Sequence, residues 1–231
     1  EPRIVVHYAI KLGLPGTTDL KNEFDKEDAD FHQIVADMAK ISRTQAKTIN
    51  LGLFYGMGKL KLQAELGLDR MGAKKLFDEY HAKVPFVRQL SQDLIEFASD
   101  NRLLFTLHDR FCRFDKFETT DKHWNNETNR FDPVPLYTEE KAKQAYQAEV
   151  TEKYKDDKIP ADYMKHFDRH YVPAFTYKAL NRLIQGGAAD MTKKAMVDLY
   201  EKGILPQIQI HDELCLSIKD DKQAMEVKET M

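Results

Sequence analysis

Residues 43–56 read Arg43-Thr44-Gln45-Ala46-Lys47-Thr48-Ile49-Asn50-Leu51-Gly52-Leu53-Phe54-Tyr55-Gly56. Arg43, Lys47, Leu51 and Tyr55 recur at every fourth position. A helix turns ~100° per residue, so each such step drifts only ~40°, and the four side chains share one face about 18 Å long. Ala46, Ile49 and Leu53 fall on the other side, where they can be buried. Ser42 stands where an N-cap belongs, and Gly56 where the helix should stop. The open face then presents a guanidinium, an ammonium, an apolar side chain and a phenol in a row. That order matches a nucleoside triphosphate laid along the helix, with its phosphates at the cationic end. Spacing alone favours a plainer reading, an amphipathic helix with two surface cations.

Outward from this stretch, helical periodicity covers 30–56 with an interruption near Ser42, then 59–68 and 73–98, where Leu76, Tyr80, Val84, Val87, Leu90 and Leu94 recur at three and four positions and Pro85 makes a break. Residues 113–172 are rich in charge and aromatics, including Trp124, Tyr137, Tyr146 and Tyr154, with weak periodicity outside 139–155. They read as an inserted loop and helix. Residues 175–200 read as one long helix in which Gly186-Gly187 marks close packing or approach to a ligand. After Pro206, Ile208 and Ile210 alternate with polar neighbours, as do Leu214, Leu216 and Ile218, so two strands meet at an acidic turn. The chain opens at Glu1 without Met and closes inside a helical pattern, so both ends look cut.

Composition narrows the classes. The 231 residues are 42% hydrophobic and 32% charged, ordinary for a folded globular protein. No apolar run approaches the ~18 residues of a membrane span, and Glu1-Pro2-Arg3-Ile4 offers neither a basic n-region followed by an apolar stretch nor an amphipathic transit pattern. Cys112 and Cys215 are too few for a disulfide framework or a four-ligand zinc site, which fits a reducing, intracellular setting. A net charge of −3 argues against gripping nucleic acid over the whole surface. Any such binding is local, and Lys and Arg do recur from 43 to 75 while acids crowd 19–37 and 139–157.

The second constellation is Gln209-Ile210-His211-Asp212-Glu213-Leu214. Adjacent carboxylates at a tight turn repel each other unless a divalent cation neutralises them, so a metal is implied. An isolated His-Asp-Glu is more often a polar turn.

Together these stretches resemble DNA polymerases of the A family over most of the chain. Residues 43–56 are similar to that family's nucleotide-binding fingers helix, His211-Asp212-Glu213 to its second palm carboxylate motif, Gln185-Gly186-Gly187-Ala188-Ala189-Asp190 to the palm helix before it, and Glu1-Pro2-Arg3 to the tail of the first palm motif. The Glu1-Pro2-Arg3 form and the 113–172 insertion resemble the phage and viral branch. The resemblance implies an α/β fold: a mainly helical fingers subdomain over 8–172 carrying the insertion, and a palm from 1–7 and 173–231 in which an antiparallel acidic hairpin and the last long helix join the end of an N-terminal strand.

It also implies roles. Arg43 and Lys47 hold the triphosphate, and Lys47 protonates the departing pyrophosphate. His32 contacts phosphates, Leu51 lies beside the sugar, Tyr55 stacks at the templating position, and Glu1 crowds a ribose 2′-hydroxyl. Asp212 binds metal with Glu213 in support, as part of a two-Mg2+ site whose other Asp lies upstream of Glu1. His211 meets the primer end, Gln185 and Asn181 read the minor groove, and Arg3 and Arg110 contact backbone phosphates or template. The implied partners are primer-template DNA, deoxynucleoside triphosphates and the upstream part of the same polymerase. The implied place is the cytoplasm, that of the host if the source is viral, and the isolated chain is expected to be inactive. Two departures accompany these roles: Leu51 stands where the family has Phe or Tyr, and Tyr177 where it has Arg. The rival readings are a single-subunit RNA polymerase relative and a non-catalytic nucleotide- or nucleic-acid-binding fragment.

Overall fold

The computed structural model describes residues 2–17, 30–39, 41–54, 57–128, 130–155 and 158–230. Glu1, Tyr55 and Gly56 lie outside them. Two compact units emerge, one from residues 1–92, 105–112 and 180–231, the other from 93–104 and 113–179.

In the first unit, α1 (Pro2–Lys11) begins with Pro at its first position, where the missing N–H is no loss. It buries Ile4, Val5, Val6 and Ala9. The strand end expected here is therefore a helix: the β-branched run Ile4-Val5-Val6 suggests a strand locally, but burial of one helical face outweighs a propensity difference of a few tenths of a kcal/mol. Helices α2 (Phe31–Ala39) and α3 (Arg43–Phe54) pack against each other. Asp30 caps α2, accepting from the backbone N–H of His32 at 2.9 Å and of Gln33 at 3.2 Å. Ser42 caps α3 as its sequence suggests. Its Oγ accepts from Gln45 N at 3.2 Å, while Gln45 Oε1 accepts from Ser42 N at 3.1 Å, a reciprocal capping box. Helix α4 (Lys59–Leu66) packs on α3 and on α5 (Arg70–Lys83). Helix α6 (Pro85–Asn101) begins at the expected proline break.

Strands β1 (Leu103–Phe105) and β2 (Phe111–Arg113) flank residues 106–110. The long helix is shorter at its start than expected. Phe175 adopts a left-handed conformation (φ 65°) and a 3₁₀ turn covers Thr176–Lys178, so α9 runs Ala179–Glu201. Strands β7 (Ile208–Ile210) and β8 (Glu213–Cys215) pair antiparallel with Ile210 opposite Glu213, and α10 (Asp221–Thr230) follows. The second strand ends at Cys215, short of the alternation that runs to Ile218. Leu214 and Leu216 nevertheless pack on the cluster of Leu199, Ile204 and Val227, which seats the hairpin on α9 and α10.

The second unit centres on Phe117, Ala142, Tyr146, Val150, Phe167 and Tyr171. Its helix α7 (Glu139–Tyr154) has a Thr138 cap, with Glu139 and Glu140 in the first turn. Strands β3 (Phe117–Thr119) and β6 (Tyr171–Pro173) pair antiparallel, and β4 (Trp124–Asn125) pairs with β5 (Arg130–Phe131). The short α8 (Phe167–His170) leads into β6.

Candidate active site

Helix α3 divides as its sequence suggests. Ala46, Ile49 and Leu53 are buried, Arg43 and Lys47 are exposed, and Leu51 is half-buried. Both Arg43 Nε (2.8 Å) and an Arg43 terminal nitrogen (2.7 Å) meet Asp30 Oδ2. The carboxylate that caps α2 thus also holds the guanidinium of α3. Its hydrogen bond from Arg43 is the main reason the Asp30 carboxyl titrates below the usual range. Lys47 makes no ion pair among the described residues.

His32 is positioned by a buried chain. Tyr80 OH donates to Asn50 Oδ1 at 2.7 Å, and Asn50 Nδ2 lies 3.1 Å from His32 Nδ1. With its carbonyl occupied by Tyr80, Asn50 offers its amide N–H to Nδ1, which leaves the ring proton on Nε2. Burial pushes the His32 imidazole below its ordinary range, Arg43 and Lys47 add to that shift, and Asp30 opposes it. A neutral ring offering Nε2–H beside two cations suits a phosphate oxygen. Asn50 was not singled out in the sequence, and Tyr80 was read there only as part of a helical apolar stripe; both are fully buried. The available signal was one polar residue inside the Ala46, Ile49, Leu53 stripe. Asp30 carried a weaker sign, as a cap-type residue one position before α2.

Along α9, Asn181 and Gln185 stand one turn apart, the first half-buried and the second exposed. Gly186-Gly187 is a point of close packing. A Cβ on Gly186 would meet Thr106 Cγ2 at 2.7 Å, and one on Gly187 would meet Leu107 Cδ1 at 3.3 Å. Beside it Arg110 Nε pairs with Asp190 Oδ1 at 2.7 Å and donates through a terminal nitrogen to Gly186 O at 3.0 Å. Thr106 Oγ1 donates to the other oxygen of Asp190, which is 5% exposed. Arg110 therefore ties residues 106–110 to α9, while its side chain stays 44% exposed. Arg3 is exposed on α1.

The acidic turn has a different character. His211 sits in the left-handed region (φ 54°) between β7 and β8, and its carbonyl accepts from Gln209 Nε2 at 3.1 Å. His211, Asp212 and Glu213 are all exposed, and neither carboxylate has an ion-pair partner among the described residues. Two adjacent unpaired carboxylates suit one side of a divalent cation with oxygen ligands. Among the described residues no group of three His, Cys, Asp or Glu gathers to complete such a site.

Residues 13–131 and 119–231 match the sequence profile of DNA polymerase family A. The chain belongs to that family. It is 30% identical to a DNA-directed DNA polymerase of Pseudomonas phage M6 over 100% of this chain and 33% of the phage protein. It is 25% identical to the DNA polymerase of Mycobacterium phage L5 (90% of this chain, 26% of the relative) and 26% identical to the thermostable DNA polymerase I of Thermus filiformis (96% and 22%). The chain thus spans a third or less of the length of these relatives. Its fold is similar to the POL domain of Pol1 from M. smegmatis in complex with DNA primer-template and dNTP, with a TM-score of 0.54 at 21% identity over 87% of this chain and 30% of that one. No described helix is long and apolar enough to cross a membrane.

Proposed function

We propose that the complete protein extends a DNA primer on a DNA template, transferring a nucleotide from a deoxynucleoside triphosphate to the primer 3′-oxygen. The observation that carries this reading is the exposed face of α3 with Arg43 and Lys47, near His32 of α2, whose ring is held by the buried Asn50 and Tyr80, in a chain belonging to DNA polymerase family A. Arg43 and Lys47 bind the triphosphate, and His32 donates through Nε2 to a phosphate oxygen. Asp30 competes for Arg43 until the triphosphate arrives. Lys47, an ammonium with no ion-pair partner among the described residues, is free to give a proton to the departing pyrophosphate. Leu51, one turn further, lies beside the sugar. The proposal keeps Tyr55 at the templating position and Glu1 against the 2′-carbon.

Asp212, supported by Glu213, would hold Mg2+ together with a carboxylate from outside these residues. Two Mg2+ ions held there would supply charge neutralisation of the reacting phosphate and a lowered pKa of the primer hydroxyl. His211 meets the primer end, and Asn181 and Gln185, on one face of α9, lie in the minor groove of the new pair. Arg3 and the exposed part of Arg110 meet backbone phosphate or template. The upstream part of the polymerase also supplies cover for Leu205, Ile208 and Ile210, each more than half exposed at 63%, 57% and 52%. The protein works in the cytoplasm, that of a host cell if its source is viral, and the 231-residue chain alone does not polymerise. Templated single-nucleotide insertion by the complete protein tests the reading: Mg2+-dependent insertion of the complementary deoxynucleotide is expected, and insertion of ribonucleotides at equal rate, or none at all, contradicts it.

A further inference from the structure

The second unit contains a cavity of about 320 Å3 that none of these roles uses. It lies between α7 and the segment that leads into α8. Tyr154 and Tyr163, both half-buried, line it. Beneath them is buried Tyr146, whose ring stacks on His170 at 5.0 Å and 29° and whose hydroxyl donates to Tyr163 O at 3.2 Å. Lys153 and Arg169 also line the cavity; both are exposed and neither has an ion-pair partner among the described residues. Two carboxylates, Glu149 and Asp162, also line the cavity. Glu149 accepts from Tyr171 OH at 2.5 Å, and Asp162 lies 3.7 Å from Lys165 Nζ.

We propose that this cavity takes an unpaired base of single-stranded DNA, with the flanking phosphates on Lys153 and Arg169. Phenol rings give a planar base a sequence-tolerant stacking surface, and cations beside them track the backbone, the combination by which single strands are held. The volume is at the lower end of small-ligand sites, room for one base and not for a duplex. The Tyr146 hydroxyl holds the Tyr163 backbone from below, which reduces the ordering cost of binding on that side. The choice of DNA over other planar anions rests on the polymerase reading; the site itself does not.

The test is fluorescence anisotropy of a labelled oligothymidine on the full 231-residue chain, with dTMP as competitor. Two phosphate contacts on a single strand predict a roughly sevenfold loss of affinity between 50 and 200 mM salt. That part of the salt dependence should vanish in the double variant Lys153→Glu/Arg169→Glu. Both residues are exposed, so the fold should be kept, which far-UV circular dichroism checks. Tyr154→Ala should weaken binding about fivefold or more. A 4-thiothymidine oligonucleotide should cross-link to Tyr154 or Tyr163. Unchanged affinity and salt slope in the charge-reversed variant, cross-linking confined to other segments, or equal affinity for free dTMP would each overturn the proposal. Templated insertion by the complete protein separates the two readings. If insertion fails while pocket-dependent binding persists, the proposal for the cavity stands. If insertion proceeds while the pocket variants bind as the parent does, the cavity proposal falls.

Discussion

The cationic face of α3 and the acidic turn between β7 and β8 are built in opposite ways. Around Arg43, Lys47 and His32, the chain supplies its own support: Asp30 fixes the guanidinium, and Tyr80 and Asn50 fix the imidazole and its tautomer from the core. Around Asp212 and Glu213 there is a left-handed residue, one side-chain hydrogen bond to a backbone carbonyl, and open surface. A phosphate-binding face can be preorganised by two helices and a few side chains close in sequence. Two neighbouring carboxylates repel, and are held together usefully only when a cation and further ligands from elsewhere join them. On the proposed reading, the phosphate-binding half of the site is locally built, while the acidic half gathers no further ligand among the described residues.

The largest effect that sharpens this contrast is expected for Asp212→Asn in the complete protein. Loss of a metal-binding carboxylate should lower primer extension by about 1,000-fold or more, equivalent to ~4 kcal/mol of barrier. Because the turn is exposed, primer-template affinity should be little changed and stability should move by less than about 0.5 kcal/mol. Near-normal turnover would remove Asp212 from the mechanism. Lys47→Ala should come next, lowering the maximal rate by about 100-fold, within the range for loss of a general acid, as well as weakening nucleotide binding. Rapid-quench kinetics would show it, and a change confined to KM would contradict the proton-donor role.

Much of this was legible in the sequence, and the reasons differ by element. The 43–54 helix declares itself because its period, its Ser42 cap and its buried stripe agree. Gly186-Gly187 was legible as a close approach, though not its partner. Thr106 is 80 positions away in the chain, and only folding brings it there. At the first residues the strand end implied by the resemblance is a helix, because burial of Ile4, Val5, Val6 and Ala9 on one face outweighs local β-branching. The role of Asn50 and Tyr80 was hidden for the same reason: it is a contact across helices, which no spacing rule reports. In the second unit, weak periodicity concealed an aromatic core assembled from short strands and one long helix.

A third prediction tests whether the α9 side is as firmly built as the α3 side. Arg110→Ala would strip Asp190 of its cation in a buried setting. Discounted for the exposed half of the guanidinium, the change should cost about 1–3 kcal/mol in a denaturant titration. Asp212→Asn measured alongside provides the contrast. A smaller effect is expected at Leu51. Leu offers no hydrogen bond near the sugar, so Leu51→Tyr in the complete protein should raise dideoxynucleotide incorporation about tenfold, or ~1.4 kcal/mol, and Leu51→Phe should not. An unchanged ratio in competition assays would place Leu51 away from the sugar.

The smallest effect concerns pH. Burial holds the folded-state pKa of His32, and of His81, a half-buried residue of α5, below the ordinary value, so the unfolded chain takes up protons first. Stability from these two groups is fully present above about pH 6.5 and declines as pH falls below it. The carboxyl of Asp30 is depressed instead, so its contribution is lost only at more acid pH, below the usual carboxylate range. Thermal unfolding from pH 8 to 5 should show a gentle decline beginning near neutrality, reduced by His81→Gln. A flat profile would mean that neither ring is held neutral by the fold.

On the proposed reading, the 231-residue chain binds the triphosphate by itself, through Arg43, Lys47 and His32. The most direct measurement is a phosphorus-31 NMR titration of a deoxynucleoside triphosphate with the 231-residue chain and with its Lys47→Ala, Arg43→Ala and Asp212→Asn variants. Weak, saturable binding to the parent chain is expected, lost with Lys47→Ala, weakened with Arg43→Ala and unaltered with Asp212→Asn in the absence of divalent metal. Binding that survives Lys47→Ala and disappears with Asp212→Asn would contradict it.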